Sequence, residues 1–288
     1  MERLNKIKKL VVKGVLPNSQ VIDSAYYSVV CAFPMSYSVG RNLIEFCREH
    51  KITPDESSIL ILGAFGGRDY HWLKGFGYQV AVMDLGHHDW GASKYVGDAC
   101  QKQTWEQIKT KFDLIIIHDV LEHLPEDYLA LTYARGVLKS DGYLLLGVPY
   151  HHDEEITHVR AYSKVTLKRL LDTAGYQIVW EQEKPGFFDA HHLVNTLNYG
   201  LALLMPTERL GARLLQSLLK VEYFVNERTR GLYRMLFRGS NQLGILLAAQ
   251  PQAQPKNADY VQANKSRFVP PAQPVSDARA VSSLHPQP

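Results

Sequence analysis

Ile59-Leu60-Ile61-Leu62-Gly63-Ala64-Phe65-Gly66-Gly67 is the stretch that decides how this chain folds. Four apolar residues in a row, bounded by glycines, have the length and composition of a buried strand. The glycines that follow permit a tight turn, and residues from about Asp69 to Gly75 then have helical character. Strand, glycine turn and helix in that order form the opening unit of a sheet covered by helices.

The pattern repeats along the chain. Gln79 to Met83 is a second strand ending at Asp84, and a short third near Lys94 to Val96 stops at Gly97-Asp98-Ala99. Phe112-Asp113-Leu114-Ile115-Ile116-Ile117 is a fourth, running into His118-Asp119. A helix from about Pro125 to Leu138 meets Lys139-Ser140-Asp141-Gly142, which predicts a stop and a turn before a fifth strand, Tyr143 to Val148. Ser163-Lys164-Val165-Thr166 opens a helix closing at Ala174-Gly175, and Tyr176 to Glu183 and Gly244 to Ala249 supply two more strands. The expected architecture is therefore α/β, a doubly wound, mostly parallel sheet of seven strands with a helical insertion before the last one. Three regions are expected: an N-terminal helical segment over 1–56, a domain over 57–250 carrying an insert at 189–238, and a disordered tail over 251–288. The tail of 38 residues holds seven of the 14 prolines, with no apolar periodicity, and cannot bury enough surface to offset its ordering entropy.

Composition excludes other classes. At 288 residues, 45% hydrophobic and 21% charged, the chain is neither a disordered regulator nor a fibre. No run approaches the ~18 to 20 apolar residues of a membrane span, and the basic start at Arg3, Lys6, Lys8, Lys9 and Lys13 lacks a secretory apolar core, so a cytoplasmic location is expected. Cys31, Cys47 and Cys100 are too few and too scattered for a disulfide framework or a thiolate zinc site, and read as buried thiols. The formal charge of +3 conceals a division: residues 1–20, 191–240 and 251–288 carry +4, +4 and +2, and the remainder −7.

These pieces in this order resemble the class I S-adenosylmethionine-dependent methyltransferases of the type 11, 12 and 23 kinds, over roughly Ser57 to Gln250. The resemblance rests on the glycine stretch, Val82-Met83-Asp84, Gly97-Asp98-Ala99, Phe112 to Ile115 with Asp119-Val120-Leu121-Glu122-His123-Leu124, and Val137 to Leu146. It implies a Rossmann-like sheet with S-adenosylmethionine at the carboxyl ends of the strands. Gly63, Ala64, Phe65 and Gly67 would form the turn that the cofactor approaches. Asp84, 21 positions after Gly63 and followed by Leu85, would accept from the ribose hydroxyls; its alternative is a solvated strand end. Asp98 would face the adenine amino group with Ala99 beside the ring, or simply make a turn. His118 and Asp119, delivered by the end of the fourth strand, would be among the residues that bind the cofactor. The pattern departs at Ile61, where an acidic residue usually holds the methionine amino group, and at Phe65, where a glycine usually stands; Asp119 or a backbone carbonyl could replace the missing acceptor.

A methyl acceptor with a hydroxyl must lose its proton, and histidines are well supplied near the expected rim. His151, His123 and His158 are the candidate bases; for each the alternative is an ordinary surface histidine. Asp119-x-x-Glu122-His123 is similar in spacing to the magnesium site of ubiquinone-pathway and small-RNA methyltransferases, yet a Glu-His pair there also serves to start a helix, and no metal is assigned. His87-His88 and His191-His192 lack a third ligand. The segment His158-x-Arg160-x-Tyr162-Ser163 resembles methyltransferases of cell-surface glycan and secondary-metabolite pathways, implying a small-molecule, carbohydrate or glycolipid-like acceptor, methylated on oxygen. The leucine-rich, arginine-dotted 189–238 stretch reads as a cap over the substrate site or as a basic amphipathic surface at the inner membrane face. An acidic body and no RNA-binding module argue against a nucleic-acid substrate. Two other classes remain open at this point, a nicotinamide-dependent oxidoreductase and a non-catalytic binding protein of this fold, and oligomeric state is not legible.

Overall fold

The computed structural model describes residues 2–15, 34–87, 94–149, 156–184, 190–221 and 244–252. Among these residues, helices α1 (Glu2–Val15) and α2 (Pro34–Glu49) precede β1 (Ser58–Leu62). Then come α3 (Arg68–Gly75), β2 (Gln79–Asp84), β3 (Tyr95–Val96), α4 (Lys102–Glu106) and β4 (Phe112–His118). A 3-10 turn (Leu121–His123), α5 (Asp127–Val137), β5 (Leu138–Pro149), α6 (Lys164–Thr173) and β6 (Tyr176–Lys184) follow. The chain then forms α7 (Ala190–Leu204), a helix α8 over 208–221, and β7 (Gly244–Pro251).

One sheet carries all seven strands in the order β3-β2-β1-β4-β5-β7-β6. β1 pairs in parallel with both β2 and β4, so strand order reverses around it. β7 is antiparallel to both β5 and β6, which makes the sheet mixed at that edge. Side chains of a strand alternate between faces, and the two cores follow that alternation. Ile59 and Ile61 face α2 and α3 with Leu43, Phe46, Trp72 and Leu73. Leu60 and Leu62 face the opposite layer with Leu131, Leu167 and Tyr176.

The expected helix over Ser163 to Gly175 forms for the anticipated reason. Ser163 caps it, accepting from the Thr166 amide at 3.2 Å while Thr166 Oγ1 accepts from the Ser163 amide at 2.9 Å, and Gly175 closes it at φ 82°. The expected turn at Lys139-Ser140-Asp141-Gly142 does not interrupt β5. The register steps from Phe112↔Leu138 to Leu114↔Tyr143, so these residues form a bulge inside one long strand. Lys139 Nζ reaches Asp113 Oδ1 at 2.7 Å across it, and Asp113 Oδ2 also accepts from the Ser58 amide at 2.8 Å, which anchors the loop to β1 and β4. At the other edge β7 runs on to Pro251. Gln252 donates to the Gly175 and Tyr176 carbonyls and accepts from Arg135. Residues 253–288, the body of the expected disordered tail, lie outside the described residues, as do 16–33 and 222–243 with Cys31 and the arginines at 228–238. Cys47 is buried, and burial pushes its thiol up to about 12, as an inert core cysteine requires; Cys100 is half-buried.

α2 approaches α3 closely because residue 40 has no side chain. A Cβ on Gly40 would lie 2.2 Å from the ring of Trp72, which is fully buried. Gly40→Val is expected to cost about 1–3 kcal/mol by overpacking, read as a lower urea midpoint with an unchanged slope.

Candidate active site

At the carboxyl end of β1 the chain turns under steric constraint. Gly63 at φ 66° and Gly67 at φ 75° occupy left-handed backbone, and a Cβ on Gly63 would fall 2.5 Å from Val120. Phe65, between them, is also left-handed at φ 38° and almost fully exposed. The turn is tied to its neighbours: the Gly63 amide donates to the Met83 carbonyl at 2.9 Å, and the Ala64 amide donates to Asp84 Oδ2 at 2.9 Å. Asp84 Oδ1 accepts from the Leu85 amide at 2.8 Å. Each oxygen of a carboxylate can accept more than one hydrogen bond, so Asp84 both shapes the glycine turn and keeps acceptor capacity. Leu85 beside it is exposed. Asp98 caps its own turn, accepting from the Cys100 amide at 2.8 Å, while Ala99 is buried and its carbonyl accepts from Trp105 at 2.7 Å.

Where β4 ends beside this turn, the structure assembles a buried ionic group that adds Arg68 and Asp69 to the candidates His118 and Asp119. His118 Nδ1 lies 2.7 Å from Asp69 Oδ2, and Arg68 Nε lies 3.0 Å from Asp69 Oδ1. Arg68 also reaches Asp119 Oδ2 at 3.7 Å. Burial pushes the Asp69 carboxyl up, but the Arg68 charge and then the His118 ring outweigh it and hold the group well below the usual carboxylate range. The Nε2 of His118 is buried and has no hydrogen-bond partner among the described residues. His118 stands two residues past Ile116, the register partner of Ile61, and shares its face of the sheet. The position where the family usually places a carboxylate is thus filled by buried Ile61, with a His-Asp pair one step nearer the strand ends. Asp119 itself sits at φ 53°, a costly conformation for a non-glycine residue, stabilised by its amide donating to the Gly147 carbonyl at 2.8 Å.

The histidines form a second group. The Val159 and Arg160 amides donate to the Glu122 carbonyl at 2.9 and 3.3 Å, folding the segment after β5 onto the 3-10 turn. Arg160 pairs with Asp127 at 3.2 Å, and the Tyr162 hydroxyl donates to Asp127 Oδ2 at 2.6 Å. Burial first, then that neighbouring carboxylate, raises the Tyr162 hydroxyl above its ordinary value, so it stays a donor. His158 thereby meets His123 edge to face, with ring centroids 4.7 Å apart, and His123 Nδ1 lies 3.1 Å from the Thr157 carbonyl. Donor atoms of Glu122, His123 and His158 lie within 4.8 Å of one another, the one grouping of metal-ligand type among the described residues. Asp119 belongs to the Arg68 network instead, so the Asp119-x-x-Glu122-His123 set is not assembled as its spacing suggested. His151 lies outside the described residues.

Comparison with known proteins places this geometry in a class. A model of the methyltransferase domain matches residues 37–181, half of the chain. No curated protein matches the sequence. Similar solved structures include an S-adenosylmethionine-dependent methyltransferase from Archaeoglobus fulgidus, 16% identical with a TM-score of 0.49, covering 75% of this chain and 94% of its own. Another comes from Clostridium acetobutylicum, at 10% identity and TM-score 0.45, covering 74% and 91%. A third is the 1,6-didemethyltoxoflavin-N1-methyltransferase of Burkholderia thailandensis with S-adenosylhomocysteine bound, at 14% and 0.45, covering 74% and 78%.

The chain belongs to the methyltransferase-domain family. It is a class I S-adenosylmethionine-dependent methyltransferase, and S-adenosylmethionine is its cofactor. The antiparallel β7 between β5 and β6 separates it from the all-parallel nicotinamide-binding sheet considered from sequence. Among the described residues no helix is long and apolar enough to cross a membrane.

Arg68 and Asp69 escaped sequence reading because an acid in the first turn of a helix is ordinary dipole chemistry. The available signal was a histidine at the end of β4. Asp69→Asn is expected to cost about 3–5 kcal/mol at pH 7, because it leaves Arg68 short of its buried partner. The depressed carboxyl stabilises the fold above its unfolded pKa near 4, and that stability is lost as pH falls through the lower folded value. The wild-type chain should therefore lose stability through acid pH more steeply than the variant, measured by urea unfolding between about pH 7 and pH 3.

Proposed function

We propose that this methyltransferase acts on a hydroxyl of a small-molecule, carbohydrate or glycolipid-like acceptor, with His123 as the general base. The observation that carries this is the His123–His158 ring pair beside the strand ends. Nδ1–H of His123 donating to the Thr157 carbonyl leaves Nε2 as the basic nitrogen. When bound, S-adenosylmethionine would supply an electrophilic methyl for in-line transfer to the acceptor oxygen, its sulfur keeping the electron pair of the bond to that methyl. The hydroxyl proton passes to His123 Nε2, and His158 confines the ring at that spot. Holding acceptor and methyl in line supplies much of the acceleration, so the base has only to remove the proton as the bond forms. A neutral amine attacks through its own lone pair, whereas a hydroxyl needs its proton removed as the bond forms, and the histidine pair suits that need.

Cofactor binding falls to groups around the glycine turn. Asp84 takes the ribose hydroxyls, with Leu85 and Phe65 as apolar cover, and Asp98 takes the adenine edge. His118 replaces the carboxylate missing at Ile61. With its Nδ1 proton held by Asp69, its buried Nε2 is an acceptor lacking a donor, and the ammonium of the methionine end is a donor.

Calorimetric titration with S-adenosylhomocysteine tests the binding half. Asp84→Ala and His118→Ala should each weaken it by roughly tenfold or more, the loss of one to two charge-assisted hydrogen bonds. Wild-type affinity in both would remove this assignment. Labelled methyl transfer to a panel of hydroxyl, amine and thiol acceptors tests the rest. His123→Ala should lower kcat on a hydroxyl acceptor by about 10²–10⁴. Turnover is expected to survive chelation. Loss on chelation with recovery in magnesium would reassign Glu122, His123 and His158 as ligands.

A further inference from the structure

We propose that α1, α7 and α8 form a docking surface for a membrane bearing anionic lipid, a property that goes beyond the methyl transfer and stands independently of it. The three helices pack as one layer. Ile7 and Val11 of α1 are buried with Ala202 of α7 and Ala212, Leu215 and Leu219 of α8. Gln216 donates to the Leu10 carbonyl at 3.2 Å, and Arg3 donates to the Met205 carbonyl at the end of α7.

With its inner face used in that way, α7 should present polar residues outward. It does the reverse. The helix contains no acidic or basic side chain other than histidine, and its solvent side carries Leu197, Leu201 and Leu204, 58%, 46% and 78% exposed. Their spacing of four and three residues aligns them in one stripe, and a Cβ on Gly200 within it would meet nothing within 4 Å. Leu210, near the start of α8, is 48% exposed as well. Contiguous exposed apolar surface of this kind marks an interaction site.

Charge identifies the occupant. α1 contributes Arg3, Lys6, Lys8, Lys9 and Lys13 against Glu2, and α8 contributes Arg209, Arg213 and Lys220 against Glu208. An uncharged leucine stripe flanked by basic helices matches a bilayer interface, where leucines enter the acyl boundary and lysines and arginines meet phosphate headgroups. A second copy of the chain fits less well. An isologous contact through this face would press two basic layers together.

The test is co-sedimentation of the full chain with phosphatidylcholine vesicles, neutral or with about 30% phosphatidylglycerol. The expected result is binding to the anionic vesicles, weakened by salt, with roughly tenfold or greater loss in Leu201→Asp/Leu204→Asp. Arg209→Glu/Arg213→Glu should weaken it as well, and S-adenosylhomocysteine affinity should stay unchanged in both variants, which separates lost docking from lost folding. No binding of the wild-type chain to anionic vesicles, equal binding to neutral ones, or full binding by both variants would overturn the proposal. Sedimentation velocity gives the remaining outcome: a wild-type dimer that Leu201→Asp/Leu204→Asp dissociates would assign the stripe to a second copy instead.

Discussion

A single buried carboxylate, that of Asp69, joins the start of α3 to the end of β4 at the place where the strand order reverses. An isolated ion in that position would cost several kcal/mol in lost hydration. It is kept charged because Arg68 and His118 both meet it. Arg68 extends the connection to Asp119, so the first turn of α3 and the left-handed residue after β4 are coupled through one set of charges. Opening any part of that set would leave a buried charge or imidazole without its partner.

Two halves of the crevice are built by different means. On the glycine-turn side, geometry comes largely from backbone: glycines at positive φ, the Ala64 amide on Asp84, the Asp119 amide on the Gly147 carbonyl. Asp84 is the one carboxylate in that set, and the rest is held by main-chain groups. On the histidine side, position depends on side chains. Asp127 holds both Arg160 and Tyr162, and so presses the chain after β5 against the 3-10 turn and brings His158 to His123. Substitution in that segment can move the histidines without disturbing the sheet.

Legibility in the sequence followed the range of each interaction. The runs at Ile59 to Leu62 and Phe112 to Ile117 were readable as strands because apolar patterning is local, and Ser163 and Thr166 announced a helix start for the same reason. The segment Lys139 to Gly142 misled because turn residues also make bulges. The choice between the two was made by Asp113, which lies far away in sequence and binds Lys139 across the strands. Asp69 gave no distinctive local signal, since its two partners have different origins: Arg68 is adjacent, whereas His118 comes from another strand.

The sequence by itself determined the α/β class and a family resemblance: five short motifs in order are separated by strand and helix periods, and such patterning and turn chemistry act over a few residues. Tertiary structure alone decided which charges meet. The His118–Asp69 pair, the exchange of Asp119 for His158 beside Glu122 and His123, and the outward leucines of α7 all depend on the packing of distant segments. Hydrogen bonds and ion pairs act over a few ångströms, and only the folded chain sets those distances.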